Sequence, residues 1–76
     1  MKYVLYEVSD EYDVIIKFTF ASENYMTEFI ESHTAEKKYT PRFLVFELDE
    51  NNDIDFIFEY LGTELIKRRC LAEYIE

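Results

Sequence analysis

Apolar and polar residues alternate over the first twenty positions with the period of two that marks half-buried β-strands. In residues 2–8, Val4, Tyr6 and Val8 fall on one face and Tyr3 and Leu5 on the other, and the polar turn Ser9-Asp10-Glu11-Tyr12 follows. Residues 13–20 answer with Val14, Ile16, Phe18 and Phe20 set against Lys17 and Thr19. Two such runs joined by a short polar loop predict an antiparallel hairpin.

The period then changes. Ser22 is a favourable helix N-cap, and Glu23 follows in the first turn, where the helix dipole favours a negative charge. Tyr25, Met26, Phe29, Ile30 and His33 recur at helical spacing as one buried stripe, with Glu28 and Glu31 towards solvent. The pattern fades at Thr34-Ala35, and Glu36 to Pro41 is a polar connection in which Pro41 biases Thr40 towards extended backbone. Arg42 to Leu48 supplies the next strand.

Residues 53–61 fit both periods. Ile54, Phe56, Phe58 and Tyr60 alternate like a strand, whereas Ile54, Ile57, Phe58, Leu61 and Leu65 match a helical stripe. Aromatic and β-branched enrichment after the turn-like Asp49-Glu50-Asn51-Asn52-Asp53 favours a second hairpin. Gly62 then breaks the strand, Thr63 reads as a cap, and Glu64 to Tyr74 is expected to be a second helix. The expectation is an α+β fold of order ββαββα, with a four-stranded antiparallel sheet and two helices on one face.

That arrangement leaves apolar surface without cover. If Val4, Ile16 and Phe58 face the helices, Tyr3, Leu5, Ile15 and Ile57 face away, and Ile66, Cys70 and Tyr74 lie on the far side of the last helix. Such patches commonly mark interfaces, so these seven residues are the expected contact surface of a homodimer.

Composition narrows the class. Seventy-six residues, 49% hydrophobic with seven Phe and seven Tyr, predict one folded domain spanning 1–76 and close to the lower size limit for a self-sufficient core. A single cysteine cannot close an internal disulfide, which points to a reducing compartment. The first residues carry no signal-peptide pattern, and no apolar run reaches the roughly 20 residues of a membrane span. The expected location is the cytoplasm of a bacterial host cell. Seventeen acids against eight bases give a formal charge of -9, which argues against direct binding of nucleic acid and for a basic partner. The clusters Lys37-Lys38 and Lys67-Arg68-Arg69 read as charge balance.

Little in the chain suggests catalysis. His33 is the lone histidine and lies on the helix stripe, while Cys70 beside Arg69 has the character of a small buried hydrophobe. Asp49 to Asp55 resembles the start of a calcium loop, yet Ile54 stands where an EF-hand needs glycine and Tyr60 where it needs a bidentate Glu. No zinc-binding spacing and no glycine-rich phosphate loop occur, so neither metal nor cofactor is expected and the chain is read as a non-enzyme.

Between residues 47 and 59, six acids (Glu47, Asp49, Glu50, Asp53, Asp55 and Glu59) surround large apolar residues without a Lys or Arg among them. They are the first candidates for partner binding, with Asp10, Glu11 and Asp13 as a second cluster. Carboxylates on a rigid scaffold can stand in for the phosphate row of DNA in another protein's basic groove. In type, a small, acidic, Tyr- and Phe-rich, glycine-poor chain is similar to the inhibitors that phages encode against host nucleases, restriction enzymes and CRISPR effectors. The resemblance implies a DNA-mimicking inhibitor of a nucleic-acid-binding defence enzyme. The alternative expectation is a homo-oligomeric interaction or regulatory module acting through an exposed Tyr/Phe-rich apolar face.

Overall fold

The computed structural model describes residues 1–71. Five strands and one helix follow in the order β1 (Lys2–Val8), β2 (Val14–Phe20), α1 (Glu23–Glu36), β3 (Arg42–Leu48), β4 (Ile54–Leu61) and β5 (Glu64–Cys70). The strands form one antiparallel sheet in the spatial order β2-β1-β3-β4-β5, which leaves β2 and β5 at the edges.

The first hairpin, the helix and the third strand lie where the patterning puts them. Ser22 caps α1 by accepting a hydrogen bond from the Tyr25 amide at 3.3 Å, and residues 54–61 are a strand. Met26 and Ile30, one turn apart, bury themselves against Tyr3 and Leu5 of β1 and Phe43 and Val45 of β3. Phe29 extends this core sideways, with its ring 4.7 Å from Phe18, 5.5 Å from Phe20 and 6.4 Å from Phe43. Tyr25 is not part of the buried stripe; it is exposed.

The fold differs from the expected ββαββα in its last element. Glu64 to Cys70 is a fifth strand instead of a second helix, giving ββαβββ. The reason is the turn. Gly62 has φ +60 while Thr63 does not share a positive φ, so the pair forms the two-residue loop with glycine first that joins twisted antiparallel strands. The Gly62 amide also donates to the Pro41 carbonyl at 2.7 Å. Pairing with β4, from Leu61↔Glu64 to Phe56↔Cys70, then overrides the helix-forming preference of Leu, Lys and Arg.

The sidedness of β1 also differs. Tyr3 and Leu5 face the helix and are buried, so they do not lie on the exposed face expected for an oligomer contact, and Val4 faces away. Ile57 does lie on the helix-free face. Ile15 sits at the bulge opposite Val8 and is 54% exposed. Ile66 is the unpaired residue of the bulge in β5, and Cys70 pairs with Phe56 on the helix side of the sheet. Tyr74 lies outside the described residues.

Two five-residue turns share one construction. In Ser9–Asp13 and again in Asp49–Asp53, the first amide donates to the fifth carbonyl at 2.9 Å. The fourth amide donates to the first carbonyl in both, at 2.9 and 3.0 Å. The first side-chain oxygen accepts from the third and fifth amides, through Ser9 Oγ in one turn and Asp49 Oδ1 in the other. The fourth residue is left-handed in each, Tyr12 at φ 65 and Asn52 at φ 63.

Candidate functional site on the helix-free face of the sheet

The acids singled out by the sequence are not brought together. Glu47 and Glu59 sit on adjacent strands but point to opposite faces, since Glu47 pairs with Phe56 and Glu59 with Leu44, and both are buried. Their expected place on a solvated acidic face is corrected accordingly, because a carboxylate that finds a local hydrogen-bond donor can be withdrawn from water. Glu50 and Asp53 are exposed on the second turn, where Asp49 is half-buried, and Asp55 is half-buried at the start of β4. Asp10, Glu11 and Asp13 are exposed on the first turn. Val8 pairs with Arg42 and Lys2 with Leu48, so the two turns leave opposite ends of the sheet, about 20 Å apart at a strand rise of roughly 3.4 Å per residue.

A different surface is continuous. With α1 on one side, strand alternation turns Val4, Tyr6, Leu44, Phe46, Leu48, Ile57 and Leu61 to the other, each half-buried. Tyr6 and Phe46 meet edge to face at its centre, with ring centroids 5.7 Å apart. No element among the described residues lies over this strip except the first turn, which folds Tyr12 across one corner.

Bases frame it. Lys17 on the β2 edge holds its ammonium 5.8 Å from the centre of the Tyr6 ring. On the β5 edge Lys67 pairs with Glu59 and Arg69 with Ile57, while Lys2 lies at the end opposite Leu48. With Arg42, five of the chain's eight bases therefore occupy this one face, where the register among paired strand residues places only two acids, Glu59 and Glu64. The acids of the first turn, Asp10 among them, lie near Arg42 at one corner, so the cationic part of this face is its β5 edge at Lys67 and Arg69. Tyr12, Leu44, Ile57, Glu59, Lys67 and Arg69 line a cleft of about 340 Å³ on it.

The corner at Tyr12 is built around Glu59. Its carboxylate accepts from the Tyr12 hydroxyl at 3.0 Å and from the Arg42 guanidinium, which also lies 5.5 Å from the centre of the Tyr12 ring. Burial pushes the Glu59 carboxyl up, but the hydrogen bonds from Arg42 and Tyr12 and the nearby Lys67 outweigh it and hold the group below the ordinary range. Glu59 is therefore an anion already matched by local partners, and Lys67 and Arg69 are the cations that face the cleft.

His33, Tyr39 and Glu7 form a second cluster, on the helix side of the sheet. His33 Nε2 lies 2.6 Å from Glu7 Oε1, and the Tyr39 hydroxyl donates to Glu7 Oε2 at 2.9 Å, so the buried carboxylate is satisfied from two sides. His33 also stacks on Phe29 at 5.0 Å. Burial and a hydrogen bond to Glu47 push the Tyr3 hydroxyl up to about 12. Cys70 is half-buried. Among the described residues, no group of three or more His, Cys, Asp or Glu is placed to share a metal ion, and no helix is long and apolar enough to cross a membrane.

Sequence reading missed Tyr6, Leu44, Phe46, Lys67 and Arg69 as a surface. The signal was available only if residues 64–70 were a strand, since alternation then sends Lys67 and Arg69 to one face and Arg68 to the other, where it lies 4.4 Å from the Phe56 ring centre. Comparison with known proteins adds no family to this geometry: no protein-family model, no curated protein and no solved structure matches the chain.

Proposed function

We propose that this chain is a non-catalytic interaction module that docks a macromolecular partner on the helix-free face of its sheet. The observation that carries the reading is the strip Val4, Tyr6, Leu44, Phe46 and Ile57, which among the described residues only the first turn covers, at the corner under Tyr12. Apolar strips with aromatic centres and charged rims have the anatomy of protein interfaces. A central aromatic pair such as Tyr6 and Phe46 is the type of anchor that dominates binding energy.

The test is retention of a partner from host lysate by tagged protein. Under this reading Phe46→Lys and Ile57→Lys abolish capture, while Asp49→Lys, Asp53→Lys and Asp55→Lys in one chain leave it intact, with circular dichroism confirming that each variant folds. Capture that survives the face substitutions and fails in the triple variant refutes it.

A second reading keeps the acids as the contact, with a host defence enzyme's basic groove taking them in place of DNA. It is favoured by Asp10, Glu11, Asp13, Glu50 and Asp53, all exposed and in no ion pair among the described residues. Salt separates the two, because binding through exposed acids weakens steeply with ionic strength and an aromatic-centred interface weakens far less.

A further inference from the structure

Resting on the first of these readings, we infer that the partner presents an acidic segment, and that a carboxylate of it enters the cleft between Tyr12 and the β5 edge. Leu44 and Ile57 floor this cleft, Lys67 and Arg69 flank it, and the Tyr12 hydroxyl and ring close one end. At about 340 Å³ it stands at the lower end of ligand pockets, roughly 300–1,000 Å³, which suits one or two side chains of a peptide. The one carboxylate native to the cleft is occupied by Arg42 and Tyr12, so Lys67 and Arg69 retain donors for an incoming anion. Arg69 offers a planar fork that can hold a carboxylate through two hydrogen bonds, and Lys67 offers a point charge beside it.

Charge decides between this occupant and a second copy of the chain. Both edge strands carry a cation in the row of Tyr6, Lys17 on β2 and Lys67 on β5, with Arg69 one row away. Packing two of these faces together with aligned strands sets edge over edge and therefore cation over cation. Lys17 over Lys17 and Lys67 over Lys67, or Lys17 over Lys67, count against that arrangement and favour an acidic partner, although Glu64 shares the β5 edge. Nucleic acid carries the same sign, but the formal charge of -9 on the whole protein repels a long polyanion, whereas a short acidic segment can be confined to the cationic edge at Lys67 and Arg69.

The experiment titrates ¹⁵N-labelled protein with a decapeptide alternating glutamate and leucine, a matched decapeptide alternating lysine and leucine, and a ten-nucleotide oligothymidylate. The glutamate peptide is expected to shift the amides of Leu44, Ile57, Lys67 and Arg69, and Lys67→Glu with Arg69→Glu is expected to weaken it at least tenfold. Lys67→Gln with Arg69→Gln, which adds no repulsion, gives a smaller loss in the same direction. The inference is overturned by equal binding of the lysine peptide, by tighter binding of the oligothymidylate, by concentration-dependent self-association through these residues, or by no response to the glutamate peptide at millimolar concentration. Lysate partner capture that survives charge reversal at Lys67 and Arg69 but is lost with Phe46→Lys overturns this inference alone. Capture indifferent to both overturns the parent reading as well.

Discussion

Tyr12 and Asn52 occupy the same position in two turns of the same construction, and only one of them suits it. The fourth residue is left-handed in both, at φ 65 and φ 63, a conformation that asparagine tolerates and a bulky aromatic does not. Asn52 is thus the residue that local physics selects, and Tyr12 is a departure from it. What offsets the strain is distant in sequence: Glu59 accepts the Tyr12 hydroxyl, and Arg42 lies against the ring.

The strain gives a signed expectation. Tyr12→Ala should be less stable than Tyr12→Gly by about 1 kcal/mol, since both lose the side chain and only glycine relieves the backbone. In an ordinary loop the order is reversed, because glycine has more entropy to lose. Urea midpoints of the two variants decide it.

Removing one partner from the Glu59 cluster should cost more than removing both. Arg42→Met strands a buried carboxylate and is expected to destabilise by about 3 kcal/mol, at the lower end for buried pairs because Arg42 is partly exposed. Arg42→Met combined with Glu59→Leu should recover most of that loss. A double variant no more stable than Arg42→Met contradicts the assignment.

Glu59 also sets an acid limit. Its folded-state carboxyl lies below the ordinary value of 4.5, so its contribution is complete above that value and is lost as pH falls through the folded one. Tyr3 sets the opposite limit. Its hydroxyl is raised from 10.0 to about 12, so the unfolded chain ionises first and stability falls as pH rises through that window. Tyr3→Phe should flatten the alkaline slope without abolishing it, since Tyr39 and Tyr60 are raised as well. Chemical denaturation at pH 9 and pH 11 measures the change.

How far the fold was legible follows from these same residues. Alternation and the Ser22 cap were enough for the first hairpin and the helix, because each carries its own local signal. The sidedness of β1 was not legible, because Tyr3 and Leu5 are as apolar as Val4 and Tyr6, and Glu7 on the first face argues for solvent there. Burial of Glu7 depends on His33 and Tyr39, 26 and 32 residues away. Glu47 and Glu59 were misplaced for the same cause: a carboxylate reads as exposed until its donor is known. The fifth strand was hidden because its residues prefer a helix and only pairing with β4 decides otherwise. The candidate face, which depends on both β1 sidedness and β5, was therefore not readable from the chain.

Gly62 offers a check on that last hairpin. A Cβ there would meet Thr40 Cγ2 at 3.2 Å and Thr34 Cγ2 at 3.4 Å, on a backbone at φ +60. Gly62→Ala is expected to cost about 1–2 kcal/mol from the left-handed backbone alone. If residues 64–70 were helical with Gly62 as a simple break, the substitution would be nearly neutral. Thermal melts of the two proteins distinguish these outcomes.

The central claim, that the partner docks on the helix-free face, is tested most directly by photo-crosslinking in the native host. p-Benzoylphenylalanine placed at Phe46 and, separately, at Glu50 reports on the face and on the acidic turn. The account expects an adduct from position 46 and none from position 50. An adduct from position 50 alone contradicts it.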